Sequence, residues 1–323
     1  MWDALQGEKS MYRENKIALV IPARNEKKLI IPTLQGVPEF VDRIYVIDDK
    51  STDKTVELVK NYQDMRVKLI LHEKNAGPGA AIITGYKKAK DENFDIVAVC
   101  GGDNQMPLDQ LKDLLDPIVD GKADYTKGNR FMEGGEKLSD MPITRVIGNT
   151  IISLLTKIAS GYYKIFDVVD GFTAINKKAL HTIDWDKAWK RYGYPMDFLV
   201  RLSIHRFRVM DIPRRAIYLE GVRQSQIKGL SYALRVSPML LKNFFYRLHK
   251  RYLIGDFHPL IFMYIFGLIL MFFGFIVGLY IVIGKLAGQL PTGATAILSA
   301  LLLIFGGQLF LFGMLFDMLE GEK

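Results

Sequence analysis

The chain has 323 residues, of which 49% are hydrophobic and 24% charged, with a formal net charge of +8. That length holds one large domain or two. The single cysteine, Cys100, excludes an internal disulfide and fits a reducing compartment.

In chain order, the first fifteen residues are polar and are expected to be loosely held. "IALVIP" (17–22) predicts a strand stopped by proline, with a helix from about Lys28. "IYVID" (44–48) is a second strand, and "STDKTVELVKNY" a helix opened by a capping serine. "VKLILH" (67–72) is a third strand, followed by "NAGPG" and a helix over 79–90. "FDIVAVC" (94–100) is the fourth. Short strands alternating with helices imply a mainly parallel, Rossmann-like sheet covered on both faces. In such sheets the ligand site lies beyond the C-terminal strand ends. Those ends carry "PARNE", "DDKSTD" and "GGDNQ".

Three polar clusters at three successive strand ends bring Glu26, Asp48, Asp49 and Asp103 to one edge. Carboxylates and amide oxygens suit a hard divalent ion such as Mg²⁺ or Mn²⁺. Gly101 and Gly102 would let a diphosphate approach the backbone. The histidines are scattered, so there is no zinc spacing. "NAGPGAAIITG" lacks the Gly-Lys-Ser/Thr ending of a Walker loop and the GxGxxG pattern, and no Gly-x-Ser-x-Gly elbow occurs.

From Gly221 to Gly255 there is no Asp or Glu, but there are Arg223, Lys228, Arg235, Lys242, Arg247, Lys250 and Arg251. This stretch carries much of the positive charge and predicts attraction to anionic lipid rather than nucleic acid. In "LLKNFFYRLHKRYL", Leu241, Phe244, Phe245, Leu248 and Tyr252 share a face, as in a helix lying in a membrane interface. Residues 261–283 and 294–316 carry no charge. Each would form a helix about 35 Å long, enough for a bilayer core of about 30 Å. The link "GKLAGQLPTG" has only Lys285, so the positive-inside rule puts the catalytic part and both termini in the cytoplasm. Gly274 and Gly278 make a Gly-x-x-x-Gly spacing, and Gly306–Gly307 thin the second span. These small residues predict a homo-oligomer joined through the spans. The expected organisation is a flexible segment (1–15), a catalytic domain (16–228), basic juxtamembrane helices (229–258) and a transmembrane hairpin (259–323).

"VIPARNE" (20–26), "VIDDKSTD" (46–53), "NAGPGAA" (75–81), "GDNQM" (102–106) and "KGNRF" (127–131) resemble the successive motifs of inverting family 2 glycosyltransferases with the GT-A fold. "DVVDGFTAIN" (167–176), the basic "IPRRAIYLEGVRQSQIK" and the hairpin narrow the resemblance to polyprenyl-phosphate glycosyltransferases. That group includes the dolichyl-phosphate mannose synthases and bacterial glucosyl relatives.

The resemblance implies a role for each matching residue. Pro22, Arg24 and Glu26 line the nucleoside pocket, and Asp48 and Asp49 read base and ribose. Gly102 allows the diphosphate close, and Asp103 and Gln105 hold Mg²⁺ or Mn²⁺ against it. Arg130 and Arg145 face phosphate groups, Asp170 lies near sugar and acceptor and either orients the sugar or assists as a weak base, and Ser225 and Lys228 close over the acceptor phosphate. Asp103, Asp170 and Arg130 are the implied catalytic residues. Two positions depart from the family. Arg24 stands where an aromatic residue is commoner, and Gly101 replaces the first Asp of the usual Asp-x-Asp.

The implied reaction moves a sugar from a nucleotide-diphosphate donor to a polyprenyl phosphate, with a UDP-sugar favoured and GDP-mannose the other candidate. Two rival readings stand beside it. One is a membrane transferase acting on a glycan or glycolipid hydroxyl, with Asp197 in "YPMDF" as its base. The other is a membrane scaffold that binds nucleotide sugar without turnover.

Overall fold

The structure is a computed structural model describing residues 12–132, 143–217, 229–255, 257–288 and 291–321. Within these, residues 143–147, 149, 229–231 and 233 are described by their backbone alone. Ser225 and Lys228 therefore lie outside the described residues, as does the side chain of Arg145. The chain divides into two compact units, Met1–Asn243 and Phe244–Lys323.

The first unit is built on seven strands: β1 (Ile17–Ala23), β2 (Arg43–Asp48), β3 (Val67–Leu71), β4 (Ile96–Val99), β5 (Tyr125–Asn129), β6 (Thr173–Asn176) and β7 (Val209–Pro213). They form one sheet in the order β3-β2-β1-β4-β6-β5-β7. β1 to β4 are mutually parallel, and β5 is parallel to β7. β6 runs antiparallel to both β4 and β5.

The central strands β1, β2 and β4 are apolar on both faces because both faces are covered. Ile17, Leu19 and Ile21 point to one layer with α1 (Ile30–Gln35) and α4 (Leu111–Val119). Ala18 and Val20 point to the other, with α3 (Pro78–Asp91), α6 (Lys177–Thr182) and α7 (Tyr194–Ile204). Each fully buried Ile, Val or Leu stabilises the fold by about 1.5–3 kcal/mol. α3 sits so close to β1 that a methyl on Gly85 would lie 2.3 Å from Val20 Cγ1.

The serine-capped helix expected after β2 forms differently. α2 (Thr55–Lys60) starts four residues later, and Asp53 accepts the Thr55 amide at 3.0 Å. Ser51 instead accepts the Asn25 amide at 2.9 Å and so joins the loops after β1 and β2.

α5 (Ile143–Ser160) and α8 (Gly229–Arg247) complete the helices that precede the C-terminal pair. In the second unit, α9 (Leu260–Leu286) and α10 (Gly293–Glu320) form a hairpin. Both are long and apolar enough to cross a membrane, and most of their surface is exposed.

Three of the four glycines expected to join copies of the chain, Gly274, Gly278 and Gly306, lie in the contact between the two helices of this hairpin, while Gly307 faces open space. A methyl on Gly306 would lie 2.8 Å from the Met271 amide nitrogen, and one on Gly274 2.9 Å from Leu303 Cγ. One on Gly278 would lie 3.2 Å from Ser299 Oγ, and that hydroxyl donates to the Gly274 carbonyl at 2.9 Å. Small residues let the two helices approach within one chain, where packing replaces the hydrophobic drive.

The juxtamembrane charge also needs correcting. Arg247 and Arg251, two of the cations expected to face lipid, are buried. Arg247 makes two bonds to Asp317 near the end of α10, at 2.8 and 2.6 Å. Tyr252 and Tyr264 donate to the same carboxylate. Leu248–Gly255 winds as a wider π-helix, in which residues five apart stack. That winding brings Tyr252 beneath the same carboxylate as Arg247. The expected apolar face splits accordingly: Phe244, Leu248 and Tyr252 turn inward, while Leu241 and Phe245 stay exposed beside Arg235, Lys242 and Lys250.

Gly306→Leu should lower the unfolding temperature of the detergent-solubilised protein without changing particle mass by light scattering. A smaller particle with an unchanged unfolding temperature would return the stripe to a contact between copies.

Candidate active site

The topology brings seven strand termini to one edge. β1, β2, β3, β4, β5 and β7 end there, and the antiparallel β6 begins there, with Val99 of β4 paired to Thr173. Asp170 and Gly171 precede β6, so they stand beside the loop that follows β4. Three non-glycine residues in the first loops have left-handed backbones: Asn25 (φ 58°), Lys50 (φ 64°) and Asn104 (φ 53°). Such conformations are costly and gather at binding sites, where the surrounding bonds enforce them.

On the β1–β2 side, Asn25 accepts the Thr52 amide at 2.8 Å, and Thr55 accepts the Glu26 amide at 2.8 Å. Arg24 is exposed and Pro22 half-buried. Asp48 is buried; its Oδ2 accepts the Ser51 amide at 2.9 Å, but its Oδ1 has no hydrogen-bond partner. A buried acceptor left unpaired is costly, so this oxygen is suited to a ligand N–H or O–H. Asp49 is bound tightly within the protein. It accepts the amides of Ala76 and Gly77, each at 2.7 Å, and lies 3.0 Å from His72 Nδ1. It thus shapes the "NAGPG" turn, where Gly77 has φ 101° beneath the backbone of Lys190.

Half-buried Glu26 has its carboxyl raised to about 7, first by burial, then by the charges of Asp103 and Asp53. Burial likewise raises Asp103. Among the described residues the hydrogen bond recorded at the Asp103 carboxylate is a long one, 3.3 Å from the Gln105 amide. A half-buried, poorly partnered carboxylate two residues from an amide side chain fits a hard divalent cation. No group of three or more His, Cys, Asp or Glu side chains gathers as a metal cage among the described residues. Phosphate oxygens and water would have to complete the shell.

Gly101 has a local reason to be glycine. A methyl there would lie 2.8 Å from Asp103 Oδ1. The first Asp of an Asp-x-Asp pair would therefore displace the second. A methyl on Gly102 would meet Ala23 and Ile30 at 3.3 Å.

The sheet's far half carries a buried charge cluster. Arg130 holds Asp167 through Nε at 2.8 Å and Nη2 at 3.1 Å, and its Nε is 3.4 Å from Asp170. Burial alone would raise Asp167, but the Arg130 hydrogen bond and charge hold it low. Arg214 grips Asp170 Oδ2 through Nε at 2.8 Å and Nη2 at 2.6 Å. Its Nη1 reaches the Gln105 carbonyl at 3.4 Å. The Phe172 amide takes Asp170 Oδ1 at 2.7 Å, and fully buried Lys127 donates to the Asp170 carbonyl at 2.5 Å. Burial pushes the Lys127 ammonium down, against the pull of Asp170 and Asp167.

Arg214 and Lys127 are not singled out by the sequence motifs that contain them. The available signal was position: Arg214 follows the apolar end of β7 directly, as the polar loops follow β1, β2 and β4.

Asp197, the base of the hydroxyl-acceptor reading, is buried and committed. It accepts from the Trp189 amide at 2.8 Å, Arg201 Nε at 2.7 Å and Asn243 Nδ2 at 2.8 Å.

A doubly covered, mainly parallel sheet with acidic and amide groups at its strand ends is an architecture of the GT-A type. Residues 18–184 match the sequence model of glycosyl transferase family 2, and the chain belongs to that family. It is a glycosyltransferase. Among similar proteins, a UDP-N-acetylglucosamine–dolichyl-phosphate N-acetylglucosaminyltransferase of Methanococcus voltae is 30% identical over 219 residues, 63% of this chain and 86% of that protein. A dolichol-phosphate mannosyltransferase of Pyrococcus furiosus is 26% identical over 66% of this chain and 60% of its own. Glucosyl-3-phosphoglycerate synthase of Mycobacterium tuberculosis, solved with Mn²⁺ and UDP, shares the fold with a TM-score of 0.53 at 17% identity. The match covers 73% of this chain and 80% of that one.

The raised Glu26 carboxyl has a consequence for stability. Its folded value of about 7 stands above the ordinary 4.5, so the folded state holds this proton more tightly. The stabilisation is complete below pH 4.5 and is lost as pH rises to about 7. The ligand-free protein should lose stability across that window, and Glu26→Gln should flatten the loss. Urea midpoints measured against pH check this; identical slopes for both proteins would refute it.

Proposed function

We propose that the enzyme transfers a sugar from a nucleoside-diphosphate sugar to a polyprenyl phosphate of the dolichyl class, with inversion, at the cytoplasmic face of a membrane. A UDP-sugar is the favoured donor and GDP-mannose the alternative. The observation that carries this reading is that the carboxylates of Asp170 and Asp197 are both committed within the protein, each accepting three contacts from its N–H groups. A hydroxyl acceptor needs a base to take its proton. A phosphate monoester, with a second pKa of about 6, arrives already charged. The named dolichyl-phosphate relatives and the two apolar helices support the same reading.

A lipid phosphate oxygen attacks the anomeric carbon while the bond from that carbon to the β-phosphate oxygen breaks. The electron pair leaves with the nucleoside diphosphate, and no proton moves. What the chain must supply is position and positive charge. The unpaired Asp48 Oδ1 accepts from the nucleoside, with Pro22, Arg24 and Glu26 lining that side. Asp49 acts by holding the turn at Ala76–Gly77. Gly102 leaves the strand end open to the diphosphate. Asp103 and Gln105 would hold Mg²⁺ or Mn²⁺, which offsets the charge of the leaving diphosphate. Arg130 offsets the same charge from the β5 side. Arg145, Ser225 and Lys228 receive the lipid phosphate, since Arg and Lys are natural phosphate ligands. The scarcity of positive charge in the hairpin link orients both termini to the cytoplasm.

Detergent-purified protein incubated with polyprenyl phosphate, Mn²⁺ or Mg²⁺ and a panel of radiolabelled UDP- and GDP-sugars should put label into extractable lipid. Asp103→Ala should cut that label at least a hundredfold with an unchanged unfolding temperature. Label that enters only a hydroxyl acceptor, or no lipid label from any donor, would refute the reading.

A further inference from the structure

Tyr194 opens α7 and is half-buried, with its ring against Phe198 at a centroid distance of 5.4 Å. One end of the side chain lies over the start of α3, where a methyl on Gly79 would come 2.8 Å from Tyr194 Cβ. The other end lies over the turn that precedes β6. A methyl on Gly171 would come 2.6 Å from the Tyr194 hydroxyl and 3.4 Å from Met106 Cε. Met106 belongs to the loop of Asp103, and its sulfur accepts the Gly101 amide at 3.1 Å. The phenol thus spans the site's edge, and its hydroxyl ends where the Asp103 loop meets the Asp170 turn.

Two glycines, at 79 and 171, leave the space the phenol occupies. Buried tyrosine hydroxyls usually find a partner. Among the described residues this one has no recorded hydrogen bond, although it faces a polar strand edge. Burial, then the Tyr125 phenol and the Asp170 carboxylate, hold it protonated well above its ordinary range. Among the described residues it is therefore a neutral donor with no hydrogen bond recorded to the protein.

Resting on the reaction proposed above, we infer that Tyr194 is a specificity-determining residue. Its hydroxyl donates a hydrogen bond to a hydroxyl or acylamino oxygen of the transferred sugar, lying between the Asp103 loop and the Asp170 turn. A site built to bond a substrate hydroxyl discriminates strongly against a ligand that lacks it. Gly171 is then glycine so that the phenol can reach the sugar.

The test is calorimetric binding to the full chain in detergent with Mn²⁺. UDP and GDP are compared with UDP-glucose, UDP-N-acetylglucosamine and GDP-mannose. For the wild type's best nucleotide sugar, Tyr194→Phe should weaken binding about tenfold while the parent nucleotide's affinity stays within about twofold; tenfold is about 1.4 kcal/mol. Gly171→Ala, which pushes the hydroxyl aside, should reproduce that split. Tyr194→Phe removes one oxygen, and an unchanged unfolding temperature will show that the fold is retained. Equal losses for nucleotide and nucleotide sugar, or no loss for either, would overturn the inference alone. A wild type that binds none of the five ligands would overturn the proposed function and this inference with it.

Discussion

The site depends on how the Asp170 carboxylate is held. Arg214 grips one of its oxygens through two nitrogens, the Phe172 amide takes the other, and Arg130 stands 3.4 Å away. Charges removed from water are costly unless paired and hydrogen-bonded. The arrangement therefore locks three pieces of chain that are remote in sequence: the end of β5, the turn before β6 and the end of β7. Arg214 extends the lock to the carbonyl of Gln105, in the loop that carries Asp103. Asp170 thus orders the cations around it, and each of its carboxylate oxygens is held by a protein donor.

Antiparallel β6 makes this lock possible. A parallel strand at that place would have carried the residues after Asn176 to the site edge, and Asp170 to the opposite edge. Because β6 is reversed, its first residues face the same way as the last residues of β1, β2 and β4. The edge is then divided by chemistry. Asp48 and Glu26 form one end, the Asp103 loop the middle, and the Asp170 cluster the other end. In the second unit a single buried carboxylate plays a similar organising part. Asp317 gathers Arg247, Tyr252 and Tyr264 and fixes the last turn of α8 to the hairpin.

The sequence made the first four strands legible because each is a short apolar run closed by polar residues, and the polar closures are the site. The two spans were legible from length and lack of charge. Three features were not. Arg247 reads as one cation among seven, and only tertiary pairing with Asp317 separates it from those exposed. The Gly274 and Gly278 spacing marks a close helix contact, but spacing alone cannot distinguish a contact within one hairpin from one between two chains. Arg214 follows a strand like the other site residues, yet its partner Asp170 lies 44 positions away, beyond any local pattern. Gly101, which reads as half of a lost motif, lies so near Asp103 that a methyl there would sit 2.8 Å from its Oδ1 and turn that carboxylate.

The account's central claim is that the acceptor arrives charged and the protein supplies no base. The pH dependence of kcat/KM for polyprenyl phosphate tests it most directly, in the wild type and in Asp170→Asn. If Asp170 only orders Arg214 and Arg130, the variant will be slower, but its profile will keep the wild-type shape, rising through about pH 6 with the second ionisation of the phosphate. A profile that plateaus in the wild type but climbs tenfold per pH unit in Asp170→Asn, as when hydroxide replaces a missing base, would contradict the claim.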